Sequence, residues 1–226
     1  MGVRQERRVA RTRELLDAAM DLVVEDGMAG LTIGSLAERV EAAVGAIYRY
    51  FPSKTALITA LQVRAVEELR EVVDAALARL DASEAPREVA LLAAAIAVPY
   101  AYARHLQERP ARRMLINRSL AAPAPVLPEE EAFEVDAALR PVLERMVARL
   151  SAAAEAGLLE AGDARQRAML AWAGVQGLSL FVNRDRLQPP ELRSPALIAP
   201  LLEALLRGWG AQAASAHAAL AALALD

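Results

Sequence analysis

The sequence predicts an all-α protein of about nine helices, with a small N-terminal three-helix unit leading into a longer helical one. Three observations predict it. Apolar residues recur at helical spacing along the chain, and no segment shows the alternation of a half-buried strand. Hydrophobic residues make up 55% of the chain and aromatic residues only 4%, so Ala, Leu and Val must supply the core volume, a mixture that favours helix over sheet. The apolar stripes are separated by prolines and glycines. A length of 226 residues allows one or two domains.

The first helix is expected over Thr12 to Glu25, where Leu15, Leu16, Ala19, Leu22 and Val23 share a face and Gly27 stands at a C-cap position. Thr32 can N-cap a second, short helix carrying Ile33, Leu36, Ala37 and Val40. After a break at Glu41 to Ala43, residues Val44 to Tyr50 can form a third short helix, which Pro52 ends. Ser53 can cap a long helix to about Asp81, with Leu57, Ile58, Leu61, Ala65, Leu69, Val73 and Leu80 along one stripe. Further helices are expected at roughly 85–107, 110–121, 130–157, 163–185 and 196–223. Pro123, Pro125 and Pro128 punctuate one loop, Gly162–Asp163 another, and Pro189, Pro190 and Pro195 a third. The pattern contains no internal repeat.

Composition removes several classes of function. The absence of cysteine excludes a disulfide scaffold, a thiolate nucleophile and a Cys-ligated metal site. Two distant histidines, with no phosphate-binding Gly-rich loop and no His/carboxylate metal spacing, argue against an enzyme, and neither a metal nor a cofactor is expected. The N-terminus lacks the apolar core of a signal peptide, which fits a cytoplasmic location. The uncharged stretch from Gly208 to Leu225 is mostly Ala, which gains little from lipid, so no membrane span is expected there. A net charge of −3 argues against indiscriminate nucleic-acid binding, so any DNA contact must be local. Met1 to Arg13 is the most basic segment: five arginines against one glutamate give +4. Alone, such an arm is equally a solvated tail or a phosphate-binding arm.

Two short helices joined by a three-residue turn, the second ending in Tyr48-Arg49-Tyr50-Phe51, can place one helix in a major groove while its partner crosses the backbone. Geometry of this kind occurs in many small helical domains, but the residues are more specific. The stretch LLDAAMDLVVEDGMAGLTIGSLAERVEAAVGAIYRYFPSKTALITAL resembles the N-terminal domain of TetR-family repressors over about 47 residues without a gap. The matching positions are Ala18-Ala19, Leu22, Gly27, Thr32, Leu36-Ala37, Gly45, Ile47, Tyr48, Phe51, Lys54 and Leu57. The resemblance implies a DNA-binding domain with its arm over 1–52 and a helical effector-binding and dimerisation domain over 53–226, helix 53–81 joining the two.

Within that frame each candidate DNA-binding residue has a physical task. Gly45, lacking a side chain, lets the recognition helix approach DNA closely. Tyr48 and Tyr50 offer hydroxyls to phosphates. Lys54, the only lysine among 26 basic residues, stands near a helix N-terminus, where a cation is slightly unfavourable, so a phosphate explains it better than local stability. Thr32 caps the second helix at a position where the family meets the phosphate backbone. Base reading would fall to the start of the third helix, Val44, Ala46 and Arg49, with Ala43 opening that helix at the DNA interface. Arg49 alone can make a bidentate contact to guanine, or else hold a phosphate, while Val44 and Ala46 could touch thymine methyls. Arg8 and Arg11 of the arm could add shape readout. Against this, Val40-Glu41-Ala42-Ala43 replaces the family's usual Ala-Gly-Val-Ser. Glu41 stands for a glycine that often takes a left-handed backbone, at a cost of roughly 1–2 kcal/mol if that geometry is kept. It also brings an acid near the expected phosphates, and Ala43 removes a capping hydroxyl. A turn of altered geometry, or a weaker and more selective DNA contact, is therefore expected.

In the second half the resemblance thins to architecture. Met169-Leu170-Ala171-Trp172-Ala173-Gly174-Val175-Gln176-Gly177-Leu178 resembles the family's penultimate helix, which with the last forms a four-helix dimer interface. The expected interface residues are Gly174, Gly177, Leu178, Leu202, Leu205 and Trp209, although an ordinary buried helix would show the same apolar face. A two-fold homodimer would set two recognition helices one DNA turn apart on a pseudo-palindromic operator. Candidate effector contacts are Tyr100, His105, Met114, Asn117, Phe133, Met146 and Trp172, with His105 equally readable as an exposed or locally bonded residue. The scarcity of polar groups implies a small apolar or amphipathic effector. The sequence thus points to a ligand-responsive transcriptional regulator of double-stranded DNA, with repression the family's usual mode. The alternative is an all-helical ligand-binding or protein-interaction module of the same fold with weakened or lost DNA binding.

Overall fold

The computed structural model describes residues 2–120 and 127–224, without the side chains of 118–120. Pro123 and Pro125 lie outside the described residues, where eleven α-helices, one 3-10 turn at Pro190–Leu192 and no strand are found. The helices are α1 (Val3–Gly30), α2 (Ile33–Arg39), α3 (Val44–Tyr48), α4 (Lys54–Asp81), α5 (Arg87–Glu108), α6 (Pro110–Leu120), α7 (Glu129–Glu155), α8 (Ala164–Leu180), α9 (Val182–Asp185), α10 (Ser194–Gly208) and α11 (Ala213–Ala224).

Three expectations need correction. The basic arm is not a tail: α1 starts at Val3, and the helix keeps its geometry to Gly27, which leaves it at φ 68°. The single helix expected over 196–223 is two, because Gly210 takes φ +100° and its neighbour Trp209 gives its carbonyl to the Glu160 N–H at 2.7 Å. The stretch 163–185 is likewise interrupted, at Phe181.

The chain divides into two compact units. The first comprises Met1–Val66 and Arg109–Ala137, so it reaches further than the 1–52 segment and takes in α6 and the start of α7. Its core is built from Leu15, Ala19, Leu22 and Val23 of α1, Leu36 and Ala37 of α2, Ile47 and Phe51, and Leu57 and Leu61 of α4, joined by Ala111 and Leu115 of α6. Arg64 pairs with Asp17 at 2.5 Å, holding α4 to α1, and the Gln62 amide donates to the Leu115 carbonyl at 2.9 Å.

The second unit, Glu67–Glu108 and Ala138–Asp226, is centred on α5. This helix is long and apolar enough to cross a membrane by composition, yet 72% of that stretch is buried inside the fold. Ala93, Ala95, Ile96 and Ala97 are fully enclosed, their small size allowing neighbouring helices to pack close. Arg149–Asp81 and Arg145–Asp74 tie α7 to α4, and Arg149 holds the Asp81 carboxyl below its ordinary pKa.

Candidate nucleic-acid interface

The corner between α2 and α3 is specified residue by residue. Thr32 is extended (φ −130°, ψ 161°) and its hydroxyl accepts the Ser35 N–H at 2.9 Å, while the Ser35 hydroxyl accepts the Thr32 N–H at 2.9 Å, a reciprocal capping box. Ser35 also donates to the Gly30 carbonyl at 2.6 Å, tying the cap to the end of α1. Ser35 escaped sequence reading because Glu or Gln, not Ser, is the usual signal at that position. Arg39 reaches back to Glu25 across the corner at 2.5 Å, and this hydrogen bond lowers the Glu25 pKa from its ordinary value of 4.5.

Helix α2 ends in a Schellman motif. The Ala42 N–H bonds the Ala37 carbonyl at 2.9 Å and the Glu41 N–H bonds the Glu38 carbonyl at 3.1 Å, which requires residue 41 to be left-handed. Glu41 has φ 50°, the only positive φ outside glycine among the described residues. The same bond pattern closes α7 at Gly157 (φ 73°) and α10 at Gly210 (φ 100°). The turn therefore keeps a left-handed residue without its glycine, and the altered backbone expected from the Val40–Ala43 substitutions is not found. As expected, Ala43 gives α3 no side-chain cap.

Helix α3 is a five-residue segment anchored by Ile47, 1% exposed, with Phe51 beyond it, 3% exposed. Tyr50 packs partly against the same core. The opposite side faces solvent: Val44 is 46% and Tyr48 49% exposed, and Gly45 and Arg49 lie beside them. A methyl group built on Gly45 would meet nothing within 4 Å, so packing inside the chain does not demand the glycine. Lys54 opens α4 exposed, one residue after Ser53, whose hydroxyl caps the helix by accepting the Ala56 N–H at 2.9 Å.

The arm runs beside this face. Arg4, Arg7, Arg8, Arg49 and Tyr50 line one cleft of about 340 Å³. Arg11, one turn further along α1, is paired with Glu14 at 2.9 Å and is not among the lining residues. Sequence reading chose Arg8 and Arg11 from the arm. Arg4 and Arg7 carry the spacing that would have found them, since positions i, i+3 and i+4 share a helical face.

The remaining expected site residues scatter. Tyr100, His105, Met146 and Trp172 belong to the second unit, and Met114, Asn117 and Phe133 to the first. His105 is 3% exposed, which excludes the exposed reading. Met146 is fully buried, whereas Phe133 is 61% exposed. Tyr102 is buried and donates to the Gln176 side chain; burial raises its pKa, an effect partly offset by a hydrogen bond from Trp172. Among the expected interface residues, Leu202 is fully buried within the chain on the α10 face shared with Ile198 and Leu206, so it cannot meet a partner. Gly174 packs against Leu201, 3.0 Å from where its Cβ would stand, and Trp209 stacks on the Arg167 guanidinium at 5.6 Å. Gly177 has open space around it. Beyond the expected interface residues, an apolar run on and after α8 faces solvent: Met169, Leu170, Leu180 and Phe181 are 47–53% exposed.

An exposed short helix anchored by two apolar residues, braced by a capped partner and flanked by cations, defines a helix-turn-helix protein. Residues 15–61 match the family described as bacterial regulatory proteins, tetR family. Over this N-terminal segment the chain is similar to the tetR family. It is 37% identical over 59 residues to the HTH-type transcriptional repressor KstR of Rhodococcus jostii; the match spans 26% of this chain and only 28% of that relative. Two solved structures share the fold across most of both chains. The TetR-family regulator PfmR of Thermus thermophilus superposes with a TM-score of 0.60 at 19% identity, covering 85% of this chain and 97% of that one. The transcriptional regulator FadR of Bacillus subtilis, in complex with stearoyl-CoA, superposes with a TM-score of 0.65 at 19% identity, covering 87% and 98%.

Proposed function

We propose that the protein is a ligand-responsive transcriptional repressor, binding a pseudo-palindromic DNA operator as a homodimer and released by a small apolar or amphipathic effector. The observation that carries the reading is the solvent face of α3. Val44, Gly45 and Tyr48 project from a helix anchored in the core by Ile47, with Phe51 beyond it, and Arg49 and Lys54 are exposed further along the chain. Gly45, which no contact within the chain requires, suits close approach to a groove. Tyr48, Lys54 and the arm supply phosphate contacts, Val44 and Ala46 meet base methyls, and Thr32 orients α2 through its cap, its hydroxyl accepting the Ser35 N–H.

The dimer reading rests on the exposed apolar run Met169, Leu170, Leu180 and Phe181, with Gly177 between them allowing close approach. Support for an apolar effector comes from the Ala- and Leu-rich interior around α5, in which Tyr102 and Gln176 form a buried polar handle. The stearoyl-CoA bound by the FadR neighbour is an amphipathic molecule of that kind.

The test is a fluorescence anisotropy titration against DNA from upstream of the protein's own gene and a scrambled control, at low and moderate salt. Selective, salt-sensitive binding that Tyr48→Ala weakens equally on all sequences supports the reading. If a genome-wide binding selection also recovers no preferred sequence, the alternative module without DNA function replaces it.

A further inference from the structure

Four arginines meet around the cleft formed by the start of α1 and the end of α3. Arg4, Arg7 and Arg8 stand at i, i+3 and i+4 on one helical face, opposite Arg49, the C-cap of the recognition helix, and Tyr50. No hydrogen bond or ion pair joins any of the four to a carboxylate among the described residues. Glu6, the nearest acid in sequence, is about half a turn round the helix from both Arg4 and Arg8. The arrangement contrasts with the other arginines of this unit that face an acid: Arg11 has Glu14, Arg39 has Glu25 and Arg64 has Asp17. Like charges gathered without a counter-ion repel one another and favour an anion between them. Guanidinium forks match the paired oxygens of a phosphate.

We infer that this cleft is a phosphate clamp for the DNA backbone. It seats a phosphodiester flanking the groove that α3 enters, and it assigns Arg49 to that phosphate rather than to a base. The inference rests on the DNA-binding reading and deepens it. Arg49 is the C-cap of α3 and lines the cleft together with the α1 arginines. The base-reading surface is then left to Val44, Gly45 and Ala46, and sequence selectivity rests on methyl contacts and on DNA shape. One clamp formed from two helices also fixes how the domain tilts on the duplex, which phosphate contacts do even though they carry no sequence information.

The experiment compares the full chain with Arg49→Ala, with the triple variant Arg4→Ala, Arg7→Ala, Arg8→Ala, and with all four together, by anisotropy on a selected duplex, on its single-base variants and on a scrambled duplex across a salt series. These side chains are exposed and alanine is the best helix former, so α1 keeps its structure. Each variant is expected to lose about tenfold affinity on every duplex and to flatten the log–log salt dependence by about one. The combined variant should lose less than the product of the two, because both halves hold the same phosphate. Losses that multiply would overturn a shared clamp. Relaxed preference at one base pair in Arg49→Ala alone would put Arg49 in the groove and overturn its assignment. Unchanged affinity in the cluster variants while Tyr48→Ala still abolishes binding would sink the clamp and leave the regulator standing. A wild type that binds no duplex selectively, yet binds inorganic pyrophosphate in a way Arg49→Ala removes, would make the cleft a small-anion site and overturn both readings.

Discussion

Replacing Glu41 by glycine should stabilise the helix-turn-helix. Glu41 holds φ 50° because the Schellman bonds from Glu41 and Ala42 to the end of α2 leave that residue no alternative. A left-handed backbone costs a residue with a side chain about 1–2 kcal/mol. Glycine removes that strain but gives back about 0.5–1 kcal/mol through the added freedom of the unfolded chain. The net expectation is a gain of about 0.5–1 kcal/mol, which slows amide exchange of the protected α2 and α3 positions about two- to fivefold. Hydrogen-exchange mass spectrometry on peptides covering 33–51 reads the effect where it arises, which a fluorescence melt would not, since both tryptophans, Trp172 and Trp209, lie in the other compact unit. Glu41→Gln is the control: it removes the charge and keeps the strain, so exchange should stay at the wild-type rate. Faster exchange in Glu41→Gly, or equal slowing in Glu41→Gln, would refute the strain account and make the carboxylate the cause. On DNA, both variants should bind more tightly at low salt, because both remove an anion near the phosphates.

Three other perturbations follow from the same structure. Glu25→Gln removes the Arg39 partner. Because the folded pKa of Glu25 is depressed, the stabilisation is present above 4.5 and disappears as pH falls through the lower folded value. Urea unfolding of wild type and variant should therefore differ at neutral pH and converge in acid, and a gap that widens on acidification would reverse the sign. Gly210→Ala should destabilise the second unit by about 1–2 kcal/mol or more from the left-handed backbone alone. Its Cβ would also stand 3.1 Å from the Glu160 backbone nitrogen and 2.5 Å from Glu160 Cγ; an unchanged urea midpoint would contradict this. Leu170→Glu, at an exposed apolar position on α8, should shift a concentration-dependent dimer to monomer in analytical ultracentrifugation while leaving the circular dichroism spectrum intact; a persistent dimer would place the interface elsewhere.

What the sequence determined by itself is local. The period of Leu15, Leu16, Ala19, Leu22 and Val23, the Thr32 and Ser53 caps and the stop before Pro52 each act within a few residues, and the helices they imply are present at nearly those positions. The all-α class and the helix-turn-helix followed from them, since short-range chemistry decides where a helix starts and stops. Where the local signal was weak, boundaries were missed. Nothing near Thr12 announces that α1 begins at Val3, because an Arg-rich stretch reads alike as solvated helix and as solvated tail. Gly208 and Gly210 look like tolerated glycines until Glu160 is seen bonded to the Trp209 carbonyl. Only the tertiary structure decided which side of each apolar helix is covered: it buried Leu202 and His105, exposed Phe181, and divided the expected effector residues between two compact units. It alone set Arg49 beside Arg4, Arg7 and Arg8, more than forty positions away in the chain. Such juxtapositions depend on how helices pack, and packing joins residues whose sequence separation carries no trace of their contact.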